Sequence, residues 1–454
     1  MSALWTSSDA EGATLGKASR PFVATGLSIN TRTLKEGDLY VAIKGEKRDG
    51  HDFVGAAFEA GACAALVARR PESVGGALLA VANTQRALED LACAARARSG
   101  AKIIAVTGSA GKTTTKEMLR LAFGALGRVH ASGLSFNNQW GVPLSLASLP
   151  REAAFGVFEI GMNHFGEIRP LVSFVRPHVA LVTTIAAAHL EFFGTCEAIA
   201  DAKSEIFEGV VPGGAALIPS DNPFTERLIA RAKQSHVARV LGFGTNPGSD
   251  ARLLSYEESG EGARVKADVL GQPVEFRIGA PGRHIAANAL GTLLCVAAAD
   301  GDVLNAAAAL KEFSALKGRG ARFAVGGVEV IDESYNANPA SMAAALALLG
   351  AASGRRIAVL GDMLEMGPDA AAHHAGLAQA IEAARVDLVF LCGPLMKALW
   401  DALPAERRAA YAPNSAELAA GIASAVRVGD AVLVKGSNGS RMSIIVEALK
   451  GRTG

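Results

Sequence analysis

Short apolar runs that end in glycine or a polar residue alternate along this chain with Ala- and Leu-rich stretches. The clearest runs cover residues 102–106, 356–360, 387–392 and 431–434. Each is followed by apolar positions that recur about every 3.6 residues, the period of an α-helix. Because strands and helices in alternation are typical of parallel sheets with crossover helices, the pattern predicts an α/β fold.

The chain is long enough for several domains. At roughly 100–200 residues per domain, its 454 residues predict two to four. The pattern is interrupted near 99–100 and again near 315–320, which predicts three domains with bounds 1–99, 100–315 and 316–454. Residues 220–282 are richer in Gly and Ser and contain alternating runs, which predict antiparallel strands at the edge of the middle domain.

Charge and composition exclude several classes of protein. Lys and Arg number 45 and Asp and Glu 44, so the net charge of +1 gives no long-range attraction for nucleic acid or an anionic membrane. Five scattered cysteines without a C-x-x-C pair indicate neither a disulfide framework nor a zinc site. The longest apolar stretches, about ten residues, are too short to span a bilayer, and the N-terminus lacks the apolar core of a signal peptide. We therefore expect a cytoplasmic protein.

A Gly-rich turn between a strand and a helix predicts a nucleotide site. Backbone N–H groups of such a turn hold phosphate oxygens, a lysine neutralises the phosphate, and the next hydroxyl reaches Mg²⁺. The spacing here is T-G-x-x-G-K-T rather than the longer G-x-x-x-x-G-K-[ST]. A dinucleotide fold is disfavoured because G-x-G-x-x-G is absent. The candidate residues are Thr107, Gly108, Ser109, Ala110, Gly111, Lys112, Thr113 and Thr114.

Three further groups follow predicted strands or begin a predicted helix. Glu159 ends an apolar run, His189 follows another, and Lys203 lies in a segment, 199–207, that we expect to start a helix. Taken singly, they could be a capping acid, a core histidine and a solvated lysine. Because the carboxyl ends of parallel strands meet at one edge of a sheet, Glu159 and His189 could converge on the phosphate loop. Glu159 is then a candidate Mg²⁺ ligand.

Eight motifs together resemble the Mur ligase family. They are T-G-S-A-G-K-T-T-T-K-E (107–117), F-N-N-Q-W-G-V-P-L-S-L (136–146), E-I-G-M-N (159–163), A-A-A-H-L-E (186–191), A-K-S-E-I-F (202–207), G-R-H-I-A-A-N-A (282–289), Y-N-A-N-P-A-S-M (335–342) and L-G-D-M-L-E-M-G (360–367). The resemblance runs from about residue 28 to residue 442. It implies an N-terminal UDP-sugar-binding domain, a central phosphate-loop ATPase domain with a parallel sheet, and a Rossmann-like C-terminal domain.

The resemblance also implies a reaction. ATP phosphorylates the terminal carboxylate of UDP-MurNAc-tripeptide, and the amine of D-Ala-D-Ala attacks the acyl phosphate, in cytoplasmic peptidoglycan precursor synthesis. The Y-N-A-N-P run and the pair Asn137 and Asn138 favour this branch of the family. Other branches, such as folylpolyglutamate synthetases and diaminopimelate- or lysine-adding ligases, remain alternatives, as does a phosphate-loop regulatory ATPase. The family leans to monomers. The sequence does not distinguish diaminopimelate from lysine in the tripeptide.

Catalytic roles carry over from the family to matching positions. Lys112 would act on the phosphate, Thr113 and Glu159 would hold one Mg²⁺, and Glu159, His189 and Lys203 would serve a second. The lysine matching Lys203 is carbamylated in the family, which replaces an ammonium with an oxygen ligand suited to Mg²⁺. Carbon dioxide reacts only with the neutral amine, so its pKa should be lowered from about 10.4.

The resemblance implies nucleotide and substrate contacts as well. For the nucleotide, Arg319 and Arg322 fit equally, and Glu333 is favoured over Asp332. The family pattern S-x-D-S-R is altered here by Asn30 and Thr31. The nucleotide set is His284, Asn288, Arg319, Arg322, Glu333, Tyr335 and Asn336. The substrate set is Ser28, Thr31, Arg32, Lys44, Asp49, Gly50 and His51 for the UDP-sugar, with Asn137, Asn138, Asn338, Lys435 and Ser437 elsewhere.

Sites divided among three domains must close around their ligands. We therefore predict an open form without ligands and a closed ternary form, with hinges near residues 99–101 and 315–321.

Overall fold

The computed structural model describes residues 3–70, 75–133, 135–259 and 262–451. Within them, strands form a two-stranded, a five-stranded, a nine-stranded and a six-stranded sheet. None of the helices in these ranges is both long enough and apolar enough to cross a membrane.

The N-terminal part contains the two smallest sheets. β1 pairs with β3, and the larger sheet has the order β2-β7-β6-β5-β4, parallel except for β2. The elements are β1 Trp5–Thr6, α1 Ser7–Thr14, β2 Lys17–Ala18, β3 Val23–Ala24, β4 Gly26–Ser28, β5 Asp38–Val41, α2 Val54–Glu59, β6 Ala64–Val67, β7 Ala77–Ala80 and α3 Thr84–Arg98.

The middle part is built on the nine-stranded sheet, in the order β16-β15-β14-β13-β12-β11-β8-β10-β9. Its elements are β8 Lys102–Thr107, α4 Lys112–Gly124, β9 Val129–Ala131, α5 Gly141–Ala147, β10 Phe155–Glu159, α6 Ile168–Val175, β11 Val179–Val182, α7 Leu190–Phe193, α8 Cys196–Ser204, β12 Ala215–Pro219, α9 Thr225–Gln234, β13 Arg239–Gly244, β14 Ala251–Ser259, β15 Gly262–Val269, β16 Gln272–Ile278, α10 Arg283–Ala298 and α11 Val303–Ala309.

The C-terminal part contains the six-stranded sheet, in the order β17-β18-β22-β19-β20-β21 and parallel except for β17. Its elements are β17 Ala321–Val325, β18 Val328–Glu333, α12 Pro339–Gly350, β19 Arg356–Gly361, α13 Ala370–Ala375, α14 Leu377–Ala383, β20 Leu388–Cys392, α15 Lys397–Ala402, β21 Arg408–Ala412, α16 Ser415–Ala425, β22 Ala431–Lys435 and α17 Ser443–Lys450. Short 3₁₀ turns lie at Gly50–Phe53, Glu205–Gly209, Leu310–Glu312, Ala405–Arg407 and Asn438–Ser440.

The predicted α/β class is confirmed, and so are the four predicted strands, at β8, β19, β20 and β22. The antiparallel edge is confirmed only for β14 to β16. Residues 225–244 instead form α9 and then β13, which is parallel to β12. The helix that we expected to start in the segment 199–207 begins earlier, at Cys196. Lys203 therefore lies in the last turn of α8, because Thr195 caps the helix eight residues earlier by accepting from Ala198 N–H.

Hydrophobic cores cover the faces of the sheets unequally. One continuous core includes Leu39 of the N-terminal sheet, Leu88 of α3, and Ile103 and Phe158 of the nine-stranded sheet. The N-terminal part and the middle part therefore share buried apolar surface. The six-stranded sheet has a separate core on each face. The middle part contributes to one of these two cores only at its margin, through partly buried residues such as Leu190. The C-terminal part is thus the more weakly attached.

Candidate active site

The phosphate loop, residues 107–114, connects β8 to α4 at the carboxyl edge of the nine-stranded sheet. Gly108 and Gly111 adopt φ values of +151° and +79°, which residues other than glycine rarely adopt. Ser109 N–H donates to Thr184 O at 2.9 Å, and its Oγ donates to Ala186 O at 2.9 Å. The loop is therefore held by its neighbour segment after β11, with the α4 N-terminus open for phosphate.

Lys112 lies within this loop, where its ammonium donates to Gly108 O at 2.7 Å. Enclosure by protein lowers its pKa, the nearby Glu159 carboxylate opposes that shift, and the Arg319 guanidinium adds to it. A cation enclosed beside a second cation favours an anionic ligand between them. This arrangement suits the phosphates of a nucleotide.

Glu159 ends β10, directly beside β8, and its carboxylate is buried. Thr113 Oγ1 donates to Oε2 at 2.9 Å, and Asn137 Nδ2 donates to Oε1 at 2.8 Å. Ser132 Oγ accepts from Glu159 N–H at 3.1 Å, while Ser132 O accepts from the buried Lys116 ammonium at 2.9 Å. The Glu159 carboxylate is therefore fixed next to the Thr113 hydroxyl, and oxygens of both groups could bind the same cation.

Lys203 is buried, with 1% of its surface exposed. No ion pair joins its ammonium to a carboxylate anywhere in the described ranges. Burial lowers its pKa well below the usual value, and the positive charge of Lys112 lowers it further. The structure therefore brings Lys203 to the phosphate loop in conditions that favour a neutral amine.

His189 lies at the N-terminus of α7, past the end of β11. Its Nδ1 is 2.5 Å from Glu365 Oε2, a residue of the C-terminal part. The bonds of its ring are with Glu365 rather than with Glu159 or Lys203. In the ranges that the structure describes, no three His, Cys, Asp or Glu side chains form a cluster that could hold a metal ion.

Arg319 and Arg322 differ in their surroundings. The Arg319 guanidinium lies 4.0 Å from the centre of the Tyr335 ring and is close enough to Lys112 to affect its pKa. Arg322 instead forms an ion pair with Glu329 across the β17–β18 hairpin at 3.3 Å. Arg319 is thus the arginine that faces the phosphate loop. The Tyr335 hydroxyl continues this contact to Ser135 Oγ at 2.7 Å.

Asp332 and Glu333 are also distinguished by their contacts. Asp332 is buried and accepts from Gly318 N–H and from the backbone and hydroxyl of Ser334, so it stabilises a turn. Glu333 forms an ion pair with the buried Lys435 at 3.3 Å, and both are close enough to His284 to act on its charge. Glu333 is therefore the acid on the cleft side.

Several predicted contact residues are engaged within the protein. Asn338 caps α12 by accepting from Ser341 N–H at 2.8 Å, and its Nδ2 lies 3.5 Å from Ser109 O of the phosphate loop. Asn336 O accepts from Lys435 at 2.9 Å, and Ser437 Oγ accepts from Leu364 N–H at 2.9 Å. These side chains shape the edge of the C-terminal part where it contacts the phosphate loop.

Asn288 of α10 lies beside the second glycine of the phosphate loop. A Cβ atom added at Gly111 would stand 2.8 Å from Asn288 Oδ1 and 3.0 Å from Nδ2. This glycine therefore lets the amide approach the turn, where a bound nucleotide would meet it. His284, one turn earlier on the same helix, is solvent-exposed.

A cavity of about 620 Å³ lies between the N-terminal part and the middle part. Its lining includes Ser28, Asn30, Arg128, Phe136 and Arg151. The lining combines apolar side chains with charged groups of both signs, and its two arginines are paired with Glu152 and Asp9, so the cavity suits a ligand that has both a ring and polar groups.

Other predicted UDP-sugar residues lie in two nearby loops. Arg32 and Lys44 are exposed, and no ion pair involves them in the part of the chain described. Both ring nitrogens of His51 are bonded internally, Nδ1 to Asp49 at 2.6 Å and Nε2 to Ala68 N–H at 2.9 Å. His51 therefore stabilises its loop. Asn138 similarly accepts from Gly141 N–H at 2.9 Å at the start of α5.

Four residues that the structure places at the site were not predicted from the sequence. Ser132 and Lys116 fix the backbone of Glu159, and Thr183 Oγ1 donates to Ala110 O of the phosphate loop at 2.5 Å. Glu365 contacts His189. Thr183 and Glu365 follow strands β11 and β19, and this position after a strand could have marked them as site residues. No comparable position relative to a strand end distinguished Ser132 or Lys116.

The chain matches three family descriptions in sequence order. "Mur ligase family, catalytic domain" covers residues 23–120, "Mur ligase middle domain" covers residues 106–296, and "Mur ligase, glutamate ligase domain" covers residues 318–438.

Curated relatives match over nearly the whole chain. A UDP-N-acetylmuramoyl-tripeptide–D-alanyl-D-alanine ligase from Rickettsia prowazekii is 34% identical and covers 93% of this chain and 94% of its own. The ligase of the same name from Escherichia coli is 35% identical over 93% of both chains.

Solved structures agree with these matches. MurF from Acinetobacter baumannii has a TM-score of 0.87 at 29% identity and covers 99% of both chains. MurF from Thermotoga maritima, solved with ADP, has a TM-score of 0.78 at 25% identity, covering 94% of this chain and 97% of its own.

Proposed function

Because this chain belongs to the Mur ligase family, we propose that it joins D-alanyl-D-alanine to UDP-N-acetylmuramoyl-tripeptide. The products are UDP-N-acetylmuramoyl-pentapeptide, ADP and phosphate. The match to D-alanyl-D-alanine ligases over 93% of the chain favours this acceptor over glutamate, lysine or diaminopimelate. We place the reaction in the cytoplasm, the compartment of ATP and UDP-linked precursors, and expect a monomer.

One observation supports this proposal most directly: residues of the middle part and of the C-terminal part meet at one phosphate loop. Lys112 begins α4 and Glu159 ends β10, both in the middle part, while Arg319 reaches the same place from the C-terminal part. A carboxylate is a poor electrophile until a phosphoryl group converts one of its oxygens into a leaving group. Bringing the two anionic reactants together is therefore the main task of the protein, and cations on both sides of the loop serve it.

The residues of the chain have separable tasks in two steps. Lys112 and Arg319 hold the nucleotide phosphates while a carboxylate oxygen of the tripeptide attacks the γ-phosphorus and ADP leaves. The amine of the dipeptide then attacks the carbonyl carbon, and phosphate leaves with the oxygen that had attacked. The amine loses one proton in forming the amide.

Thr113 and Glu159 fit a magnesium ion. A threonine hydroxyl beside a fixed carboxylate supplies hard oxygen ligands, and Mg²⁺ commonly completes its shell with water and substrate phosphates. When bound, Mg²⁺ would neutralise charge on the phosphate oxygens. His189 and Lys203 would serve a second ion, and carbamylation of Lys203 would add the oxygen ligand that an ammonium lacks.

For the remaining contacts, we propose that the nucleotide lies between Asn288 and His284 on one side and Glu333 and Tyr335 on the other. The UDP-sugar would occupy the cavity that contains Ser28, with Thr31, Arg32, Lys44 and the 49–51 loop around it. Asn137, Asn138, Asn338, Lys435 and Ser437 would shape the site between the two peptides. Arg322 lies outside this set because Glu329 holds it at the hairpin.

An omission assay tests the proposed function. Purified protein with ATP and Mg²⁺ should release phosphate and form the pentapeptide only when UDP-MurNAc-tripeptide and D-Ala-D-Ala are both present. Lys112→Ala should reduce the rate by about a hundredfold or more, since it removes a charge that stabilises the transferring phosphate. Equal phosphate release without D-Ala-D-Ala, as a regulatory ATPase would show, or ligation of glutamate to tetrahydrofolate, would overturn it.

A further inference from the structure

Glu365 belongs to the C-terminal part but contacts the middle part. It lies in the loop after β19, and its Oε2 is 2.5 Å from His189 Nδ1. A second bond joins the same loops, because Glu191 N–H donates to Glu365 O at 3.1 Å. A side-chain contact between residues 176 positions apart in sequence and a neighbouring backbone bond from Glu191 thus join the two loops.

Both loops hold backbone conformations that point to a specific role. His189 has a φ of +59° and Glu365 a φ of +62°, a region that residues other than glycine occupy rarely and at an energetic cost. Such conformations persist where the surrounding structure enforces them, and they concentrate at functional sites.

The neighbours of Glu365 explain how its loop is enforced. Met363 and Met366 on either side are buried in the C-terminal core, and Leu364 N–H donates to Ser437 Oγ at 2.9 Å. On the facing loop, Leu190 packs against the same core. The Glu365 carboxylate is thus held by a rigid support and directed at the ring across the domain boundary.

The contact determines which nitrogen of the His189 ring is available. A carboxylate only accepts hydrogen bonds, so Nδ1 must carry the hydrogen, and Nε2 of the neutral ring keeps its lone pair. Carboxylates that hold a histidine in this way fix its tautomer and its orientation, and they increase its basicity as a ligand. Without Glu365, a ring of which 20% of the side chain is exposed would be free to rotate.

We infer that Glu365 is a positioning residue for His189. It holds the ring in the orientation that leaves Nε2 free, and it can do so only while the C-terminal part contacts the middle part. This inference rests on the proposed function, in which His189 serves the phosphate centre. It gives the boundary between the domains a task in the reaction. The centre is complete only after the C-terminal part has docked, so phosphoryl transfer is coupled to closure and idle ATP hydrolysis is limited.

Kinetics of Glu365→Ala and Glu365→Gln test the inference. We expect Glu365→Ala to raise the half-saturating Mg²⁺ concentration and lower kcat by about 10–100-fold, the usual effect of removing such a partner. The KM for D-Ala-D-Ala should change by less than about threefold. Glu365→Gln should recover most of the loss, because the amide oxygen still accepts from Nδ1–H. Glu191→Gln is the matched control, since its side chain is exposed and the backbone bond is retained.

A spectroscopic measurement separates this inference from the proposed function. Protein labelled with ¹⁵N-histidine and bound to ADP and both peptide substrates without Mg²⁺ gives imidazole signals that report the tautomer, with His189→Asn assigning the peak. We expect the Nδ1–H tautomer in the wild type and in Glu365→Gln, and its loss in Glu365→Ala. A wild-type Nε2–H tautomer would overturn the inference, as would unchanged Mg²⁺ dependence and kcat in Glu365→Ala. An inactive wild type with the Nδ1–H tautomer would contradict only the proposed function.

Discussion

At the scale of single residues, the site depends on where charge is buried. Lys203 and Lys112 are both enclosed by protein, which lowers the pKa of each, and the positive charge of Lys112 lowers the pKa of Lys203 further. Glu159 is also buried, but its carboxylate has hydrogen-bond partners, because Thr113 and Asn137 donate to its two oxygens. The same small volume therefore holds a fixed carboxylate and an amine whose pKa is lowered by burial.

That amine gives the first prediction. A neutral amine and carbon dioxide form a carbamate with loss of one proton, so Lys203 should carry an anionic group in the active protein. Lys203→Ala should lose about a hundredfold or more in activity and should recover part of it in millimolar acetate or formate, which can fill the vacated space. Lys233→Ala, an exposed lysine of α9, is the control. Full activity of Lys203→Ala, without a response to bicarbonate or short carboxylates, would disprove carbamylation.

At the scale of elements, helix termini carry both stability and contacts across domains. Asn338 caps α12, and its capping box with Ser341 is reciprocal. The same side chain also reaches Ser109 O of the phosphate loop. Asn414 caps α16 in the same way, through Glu417 N–H, but its Nδ2 donates to Glu417 Oε1 of the same helix at 2.6 Å rather than to another part of the chain.

This pair of caps gives the second prediction. Asn338→Ala and Asn414→Ala should each reduce the free energy of unfolding by about 1 kcal/mol, the usual cost of a lost cap. Only Asn338→Ala should also lower kcat/KM, because it removes the bond to the phosphate loop. Urea unfolding monitored by circular dichroism and the ligation assay measure the two effects. Equal activity in both variants would show that the Asn338 contact has no functional role.

An ion pair between helices gives the third prediction. Asp201 of α8 binds Arg227 and Arg231 of α9, and the bond from Arg227 lowers its pKa from 3.8 to about 2. A depressed pKa stabilises the fold above the ordinary pKa of an aspartate, and this contribution disappears as the pH falls from about 4 to 2. Because the arginines are partly exposed, we expect about 1 kcal/mol.

Asp201→Asn should therefore be less stable than the wild type by about 1 kcal/mol at pH 7, with the difference disappearing near pH 2. The free energy of unfolding, measured in urea from pH 7 to pH 2, gives the comparison. Glu197→Gln, on the same helix but exposed, is the matched control. A difference between Asp201→Asn and wild type that does not depend on pH would rule out the ion pair as its source.

Much of this architecture could be predicted from sequence, for identifiable reasons. Four strands are apolar runs ended by glycine or polar residues, namely β8, β19, β20 and β22. Both their strand conformation and the position of their carboxyl ends could therefore be predicted. The pairing of His189 with Glu365 was not, because nothing local relates two loops that are 176 residues apart. The choice between Arg319 and Arg322 was open for the same reason, since both lie near one hairpin and only packing separates them.

At the scale of the whole molecule, the three parts are attached to different degrees. The N-terminal part and the middle part share one hydrophobic core that continues through α3, whereas the C-terminal part touches the middle part chiefly through the edge of its own core and a few polar bonds. Buried apolar area is costly to expose, and polar contacts at a domain boundary are less so. Of the two predicted hinges, the segment near 315–321 is therefore the better candidate for motion.

Solution scattering tests this fourth prediction. The radius of gyration should decrease when a non-hydrolysable ATP analogue and UDP-MurNAc-tripeptide are added together, since the C-terminal part then closes on the phosphate loop. A spin label pair spanning α3 and α5 should keep its distance, whereas a pair spanning α4 and α12 should shorten. Identical scattering profiles with and without ligands would contradict the hinge, and a moving α3–α5 pair would place it at 99–101 instead.

In the proposed reaction, a phosphorylated carboxylate of the tripeptide connects ATP to the new amide. The most direct measurement follows ¹⁸O from the terminal carboxylate of labelled UDP-MurNAc-tripeptide during turnover with ATP and D-Ala-D-Ala. Each phosphate released should carry one ¹⁸O and the pentapeptide amide should keep the other, because the attacking oxygen departs with phosphorus. Phosphate without ¹⁸O, formed by attack of water on ATP while the pentapeptide accumulates, would contradict it.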